Sequence, residues 1–435
     1  MKYITKTSLR IFTTAAVLTT LMAGVVWAAE PLAGLKMVRE FEISGRKVLR
    51  YEHGEKGNNG KKYFFVLPCE NVKNPPLRVI LHHAGGSGQQ ALNEAYKSKH
   101  RHQYGSKDYA ILYLDCRNDK PDWWWGWHGI KKNKDKYANK LYPTEKRVLD
   151  TVEWVIKNQK ADRNRVYLSG RSMGGTGSLG IGYCRGDIFA AILVNVPAGA
   201  DHVLFRLKNS NYPDPPPTIN TSSQTDGWSK GQEDLLAHCK KNKLPMIFAW
   251  GPFGHASRPD MANRAVYDFP WLKIVKNEAY PVFTDSDSDE TYPGHKNKTG
   301  KDQKGQINGY YRWKNITDTD KNFAIQLRLV KNDELGKPET IPQESTADVT
   351  LRRLQAFKVK TGESHTWKTV RNGKVLQEGE VRPDKNGLLT VRRVKIDAVP
   401  VQLQVAVKKQ GYVKRNYSDR SASESRQATT LALQH

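Results

Sequence analysis

The sequence predicts an α/β fold, a mostly parallel sheet with helices on both faces, followed by a C-terminal antiparallel β-sandwich domain. Three observations predict it. From about residue 37 to 280, apolar runs of four to six residues alternate with helix-like segments, the mark of a sheet covered on both faces. Within that stretch, Val166-Tyr-Leu-Ser-Gly-Arg-Ser-Met-Gly-Gly175 reads as a short strand that turns sharply into small residues able to open a helix. Past about residue 280 the alternation becomes polar and apolar with period two, punctuated by the hairpin-type turns Asn372-Gly373 and Asp384-Lys-Asn-Gly387.

Taken in order, the elements begin with a targeting segment. Lys2, Lys6 and Arg10 form a basic start, Ile11 to Val26 is apolar, and Val26-Trp27-Ala28 fits a small-x-small cleavage site. The apolar run is shorter than a membrane span needs, and no second run follows. The expectation is a signal peptide over residues 1–28, with export to a secreted or periplasmic location and no membrane span after its removal. An uncleaved anchor is the alternative. No cysteine near the cleavage site and no twin arginine suggest a lipoprotein or a folded-export route.

A catalytic unit is expected over residues 37–282. It holds a hairpin over Lys36–Glu52, strands at Tyr63–Pro68, Arg78–His82, Ala110–Asp115, Val166–Leu168, Ala190–Val194, Thr218–Asn220 and Met246–Trp250, and intervening helices, one capped by Thr144. Residues 283–308, acidic and then rich in Lys, Gly and Asn, read as a linker or long loop. The sandwich is expected over 309–412 and a disordered tail over 413–435.

Lys and Arg number 70 against 44 Asp and Glu, a net charge of +26 (70 − 44) that becomes +23 once the three leader cations are removed. Such a field favours polyanions, or else is a solvated basic surface with no specific partner. No nucleic-acid-binding signature accompanies it, so no specific nucleic-acid partner is expected. Oligomeric state is not legible. Cys69, Cys116, Cys184 and Cys239 permit up to two disulfides with three pairings, and none has metal-ligand spacing.

The chemistry centres on the G-x-S-x-G of Gly170-Arg-Ser-Met-Gly174. A serine at such a strand-to-helix turn stands above the strand end with its hydroxyl exposed, which makes Ser172 the candidate nucleophile. A serine hydroxyl needs a base, and the base needs an orienting acid. His255 lies just past a strand end in the Gly/Pro turn Gly251-Pro-Phe-Gly-His255 and is the candidate base. Asp226 follows the preceding strand and is the candidate acid, with Asp201 and Asp260 as rivals. Acyl transfer also needs amide donors for the oxyanion. Met173 N–H is one, and the strand-to-glycine-turn run Val79-Ile-Leu-His-His-Ala-Gly-Gly-Ser-Gly88 supplies the other at Ala84 or His83. That run lacks the Lys-Ser/Thr of a phosphate loop.

Asp122-Trp-Trp-Trp-Gly-Trp127-His128 follows a strand whose carboxyl end borders such a site, so Trp125 and Trp127 are candidate substrate contacts beside His83, though some of these tryptophans must be core. Two weaker patterns are a calcium-like acidic run (Asp285, Asp287, Asp289, Glu290) and a sugar-binding face from Tyr310, Tyr311, Trp313 and Trp367, which serve equally as core aromatics. No cofactor or metal is expected.

On Gly170-Arg-Ser-Met-Gly-Gly175, Leu81-His-His-Ala-Gly-Gly-Ser-Gly88, Asp226 and His255, the chain over about residues 37–280 resembles the α/β-hydrolase superfamily. It resembles the exported branch that includes feruloyl and acetyl-xylan esterases, polyhydroxybutyrate depolymerases and prolyl-oligopeptidase-like hydrolases. The resemblance implies a serine hydrolase. The leading expectation is cleavage of carboxylic esters on acylated polysaccharide or another ester substrate. The alternatives are a prolyl-oligopeptidase-like peptidase, whose large propeller is missing here, and a carbohydrate-binding protein that has lost activity.

Overall fold

The computed structural model describes residue 32 and residues 34–57, 60–97, 107–116, 123–126, 141–209, 214–256, 261–295 and 303–408. The expected signal peptide and tail lie outside the described residues.

Buried, β-branched-rich runs build the centre of a ten-stranded sheet. Its strands are β1 (Lys36–Glu42), β2 (Lys47–Gly57), β3 (Gly60–Leu67), β4 (Leu77–Leu81), β5 (Ala110–Leu114), β6 (Val166–Arg171), β7 (Ala191–Asn195), β8 (Thr218–Ser223), β9 (Met246–Gly251) and β11 (Gly305–Ile307). Their spatial order is β1-β2-β3-β5-β4-β6-β7-β8-β9-β11. The six strands from β5 to β9 pair in parallel, whereas β1, β2, β3 and β11 pair antiparallel at the two edges. Strands β4, β5, β7, β8 and β9 are buried at every residue, as a sheet sandwiched between helices requires.

Each strand splits its side chains between two cores. On one face Leu77, Val79, Leu112, Val166 and Leu168 meet Val148, Leu149 and Val152 of α2 (Pro143–Asn158), Leu179 of α3 (Met173–Gly182), Val203 of α4 (Ala200–Lys208) and Leu235 of α5 (Gln232–Lys241). On the other, Ile80, Ile111 and Tyr113 meet Leu92 and Tyr96 of α1 (Gly88–Lys97). Tyr167, Leu193, Ile219 and Ile247 meet Val266 of the short α6 (Arg264–Tyr267) with Phe269 and Trp271. The expected Thr144 cap is one residue inside the helix: Tyr142 is the N-cap and Pro143, with its preset φ, opens α2.

The second unit packs a three-stranded antiparallel sheet, β10 (Tyr280–Thr284), β14 (Glu344–Arg352) and β17 (Thr390–Asp397), on a five-stranded one. The latter orders β12 (Tyr311–Asp318), β13 (Asn322–Leu329), β18 (Val401–Val407), β15 (His365–Arg371) and β16 (Lys374–Val381). Alternating residues such as Phe323, Ile325, Leu327, Val391, Leu403 and Val405 fill the space between. The β15–β16 hairpin turns on Asn372 and Gly373, both at positive φ, as a two-residue turn of matching twist demands.

The expected boundary at 282 and linker over 283–308 differ from what is seen. Strand β10 already belongs to the sandwich, while β11 returns to the edge of the large sheet beside β9. The acidic run between them is a set of ties. Asp287 Oδ1 accepts from Ser345 Oγ and Thr346 N at 2.7 and 2.8 Å, Asp289 Oδ1 from Asn308 N at 2.7 Å, and Glu290 Oε2 from Gln306 N at 3.1 Å. The calcium-like pattern therefore resolves into backbone anchoring. Tyr310 and Tyr311 are core, while Trp313 and Trp367 are partly buried and pack against the same core from its rim, so the four do not share one exposed face. All four cysteines are free thiols, so neither permitted disulfide forms.

Candidate active site

Strand β6 runs to Arg171, and α3 starts at Met173. Ser172, between them, holds φ 56° and ψ −120°, a conformation that strains a residue with a side chain. Glycine is required on both sides. A Cβ on Gly170 would lie 2.2 Å from the Gly174 carbonyl oxygen, and one on Gly174 2.1 Å from that of Leu81. The turn leaves Ser172 partly exposed at the carboxyl end of the parallel strands.

Asp226 follows the end of β8 by three residues and His255 follows the end of β9 by four, so neighbouring strands deliver both to the same rim. Ser172 Oγ lies 2.7 Å from His255 Nε2, and His255 Nδ1 lies 2.7 Å from Asp226 Oδ2. An ionised carboxylate only accepts, so Nδ1 carries the hydrogen and Nε2 offers its lone pair to the serine hydroxyl. The other carboxylate oxygen, Oδ1, accepts from Trp228 N at 2.8 Å, which fixes the buried carboxylate in place. Strand order, strained elbow and the chain order serine, aspartate, histidine now stand together. The chain has the α/β-hydrolase fold.

Three side chains hold this site in register that the sequence alone did not single out. Ser223 Oγ accepts from Phe253 N at 3.1 Å and Thr225 Oγ1 from Gly254 N at 3.0 Å, stitching the aspartate loop to the histidine loop. The guanidinium of Arg171 donates to the His255 carbonyl at 3.2 Å. The readable signal was hydroxyl residues directly before Asp226, and an arginine directly before the serine.

The glycine-rich loop after β4 abuts the first turn of α3. His82 Nε2 accepts from Cys116 N at 3.1 Å, so its Nδ1 carries the hydrogen and donates to the His83 carbonyl at 2.8 Å. Gly86 N closes the turn on that same carbonyl at 3.1 Å, leaving Ala84 exposed at the tip with His83 partly exposed beside it. Met173 N–H is at the first position of α3, where no carbonyl four residues back can take it.

The tryptophan expectation needs correcting. Trp124 and Trp125 are fully buried against α3, and Trp124 Nε1 donates to the His82 carbonyl at 3.2 Å. Glycines of α3 make the room: a Cβ on Gly177 would meet Trp124 at 2.8 Å, and one on Gly180 would meet Trp125 at 2.4 Å. Trp125 also lies under the Arg206 guanidinium at 5.4 Å, which is paired with the buried Glu145 at 2.7 Å. Trp125 is thus core. Trp127 lies outside the described residues, as does Asp260. Asp201 sits in the first turn of α4, 4.0 Å from Lys230, and His255 Nδ1 meets Asp226 instead. The aromatic that does stand at the site is Trp228, 54% exposed, its ring centroid 6.3 Å from that of His255. Among the described residues no group of three or more His, Cys, Asp or Glu is arranged to hold a metal ion, and no helix is long and apolar enough to cross a membrane.

No family model matches the chain, and no curated protein is similar to it in sequence. Among solved structures, it is similar to an S-formylglutathione hydrolase from Staphylococcus aureus at 13% identity, covering 51% of this chain and 94% of that one with a TM-score of 0.36. A ferulic acid esterase from Anaeromyces mucronatus matches at 14% identity over 51% of this chain and 92% of that one, TM-score 0.34. An acetyl xylan esterase from Aspergillus awamori matches at 15% identity over 46% and 75%, TM-score 0.29.

Proposed function

We propose that the protein is an exported serine hydrolase that cleaves carboxylic esters through Ser172, His255 and Asp226. The observation that carries this reading is the unbroken pair of 2.7 Å contacts from hydroxyl to imidazole to carboxylate. In the first half-reaction His255 Nε2 takes the hydroxyl proton as Ser172 Oγ attacks the ester carbonyl carbon. The carbonyl π pair moves onto oxygen, and the Met173 and Ala84 amides stabilise that oxyanion, each worth about 2.7–4 kcal/mol of barrier by analogy with other such donors. The oxyanion collapses, the bond to the alcohol oxygen breaks, and His255 returns its proton to that oxygen. Water then repeats the sequence on the acyl-serine and releases the acid. Asp226 stays ionised and stabilises the imidazolium.

An acylated polysaccharide is the favoured substrate class. With Trp124 and Trp125 in the core, support for a polymer comes from the net charge, +23 once the three leader cations are removed (26 − 3), which draws in anionic chains. A panel of acetyl and feruloyl sugar esters beside short peptides, assayed with wild type and Ser172→Ala, tests the reading. Ester turnover abolished in the variant is expected. Peptide turnover without ester turnover would replace it with a peptidase, and turnover of neither with an inactive binding protein.

A further inference from the structure

We infer that Trp228 forms the subsite for the alcohol part of the ester, a flat apolar face that takes a ring-bearing alcohol, a sugar or an aryl unit. This rests on the esterase reading above and names what that site selects.

Trp228 is the one large aromatic among the described residues that is exposed by more than half of its surface, at 54%. The other exposed large apolar residues, Met37, Val38, Val375, Leu376 and Val399, are aliphatic. Its backbone is fixed at both ends: its N–H donates to Asp226 Oδ1 at 2.8 Å, and its carbonyl accepts from Gly199 N at 2.9 Å. The backbone of this residue is thus pinned to the buried carboxylate while its indole is left open to solvent.

The side of the site follows from the chemistry. The imidazole must reach the alcohol oxygen to protonate it as the ester bond breaks, so the alcohol leaves on the histidine side. The Trp228 ring is tilted 47° to that imidazole with centroids 6.3 Å apart, so the exposed indole is a neighbour of the group that protonates the departing alcohol. Flat ring faces are what an indole binds best, at a separation the residue's exposed face can accommodate. A one-carbon alcohol has no ring face to lay against it.

The test holds the acyl group constant and varies the alcohol. Wild type, Trp228→Ala and Trp228→Phe are compared on methyl acetate, phenyl acetate and a monoacetylated methyl xyloside. Trp228→Ala is expected to lower kcat/KM about tenfold for the two ring alcohols and hardly at all for methyl acetate, with the loss mainly in KM; Trp228→Phe restores most of it. A loss confined to phenyl acetate selects an aryl unit over a sugar, and the reverse selects a sugar. Unchanged reaction of Trp228→Ala with a small fluorophosphonate shows that its Ser172 remains active. Equal losses on all three acetates, or no loss on any, would overturn the subsite while leaving the esterase standing. Wild type inert towards every ester and towards the fluorophosphonate would overturn both.

Discussion

Three side chains separated by 54 and 29 residues along the chain meet at two contacts of 2.7 Å, and the tautomer of His255 is the detail on which the reading turns. Asp226→Asn places an amide where the carboxylate was. Its NH2 favours the imidazole tautomer with hydrogen on Nε2, which cannot accept from Ser172. kcat is therefore expected to fall by about 10⁴ with little change in fold, checked by steady-state kinetics beside near-UV circular dichroism. Ser172, His255 and Asp226 were legible because each occupies a position with its own local signature: an elbow between glycines, and two loops directly after apolar strands. Trp125 was misread because four clustered tryptophans announce burial and ligand contact in the same words. What separates them is Gly177 and Gly180, two positions less than a turn apart on α3 that become pockets only when the helix is laid against that loop. Trp228 was overlooked because exposure is a property of the fold, and its sequence neighbours describe only a turn.

At the scale of elements, α3 shows how a glycine-rich helix survives. Intrinsic propensity argues against Gly174, Gly175, Gly177, Gly180 and Gly182 in ten residues, yet every residue of α3 is buried and packing decides. Gly180→Ala would gain in propensity and still destabilise, because its methyl would sit 2.4–2.5 Å from ring atoms of Trp125 in a closed core. A loss of about 1–3 kcal/mol in stability is expected, read as a lower denaturant midpoint at unchanged slope. The central parallel strands were readable as continuous apolar runs. Strands β10 and β11 were not, since five and three residues carry no period of their own and both lie in a stretch rich in charge. Their placement is set by long-range partners: Trp250, Ala249 and Phe248 for β11, and β14 for β10.

Across the whole molecule, the two units are joined by more than the chain. Lys243 Nζ meets Asp384 at 2.7 Å, Arg352 Nη2 meets Asp214 at 2.5 Å, and the buried Arg312 donates to the Ala265 carbonyl at 2.7 Å. This docking was beyond reach of the sequence, because each partner lies about 50 residues or more from the other and sits among many similar charges. A further whole-molecule property comes from His53, buried on β2 beside Phe64 and within the field of Arg147 and Lys62. Burial first, and those cations second, push its pKa down to about 3. The unfolded chain therefore binds a proton on this group between pH 6.5 and 3 while the folded one does not. Stability on this account is intact above pH 6.5 and falls as pH drops through that window, by on the order of 1 kcal/mol per pH unit. His53→Phe removes the term. The gap between variant and wild-type midpoints in urea should widen in the variant's favour from pH 7 to pH 4.5, and parallel curves would reject the assignment.

The central claim is that one serine hydroxyl is activated by its histidine. Incubation with a fluorophosphonate followed by peptide mass spectrometry tests it most directly: one adduct on Ser172 in wild type, and an adduct slowed by orders of magnitude in His255→Gln, are the predicted results. An unlabelled wild type, or labelling of Ser172 at the same rate without the imidazole, would contradict it.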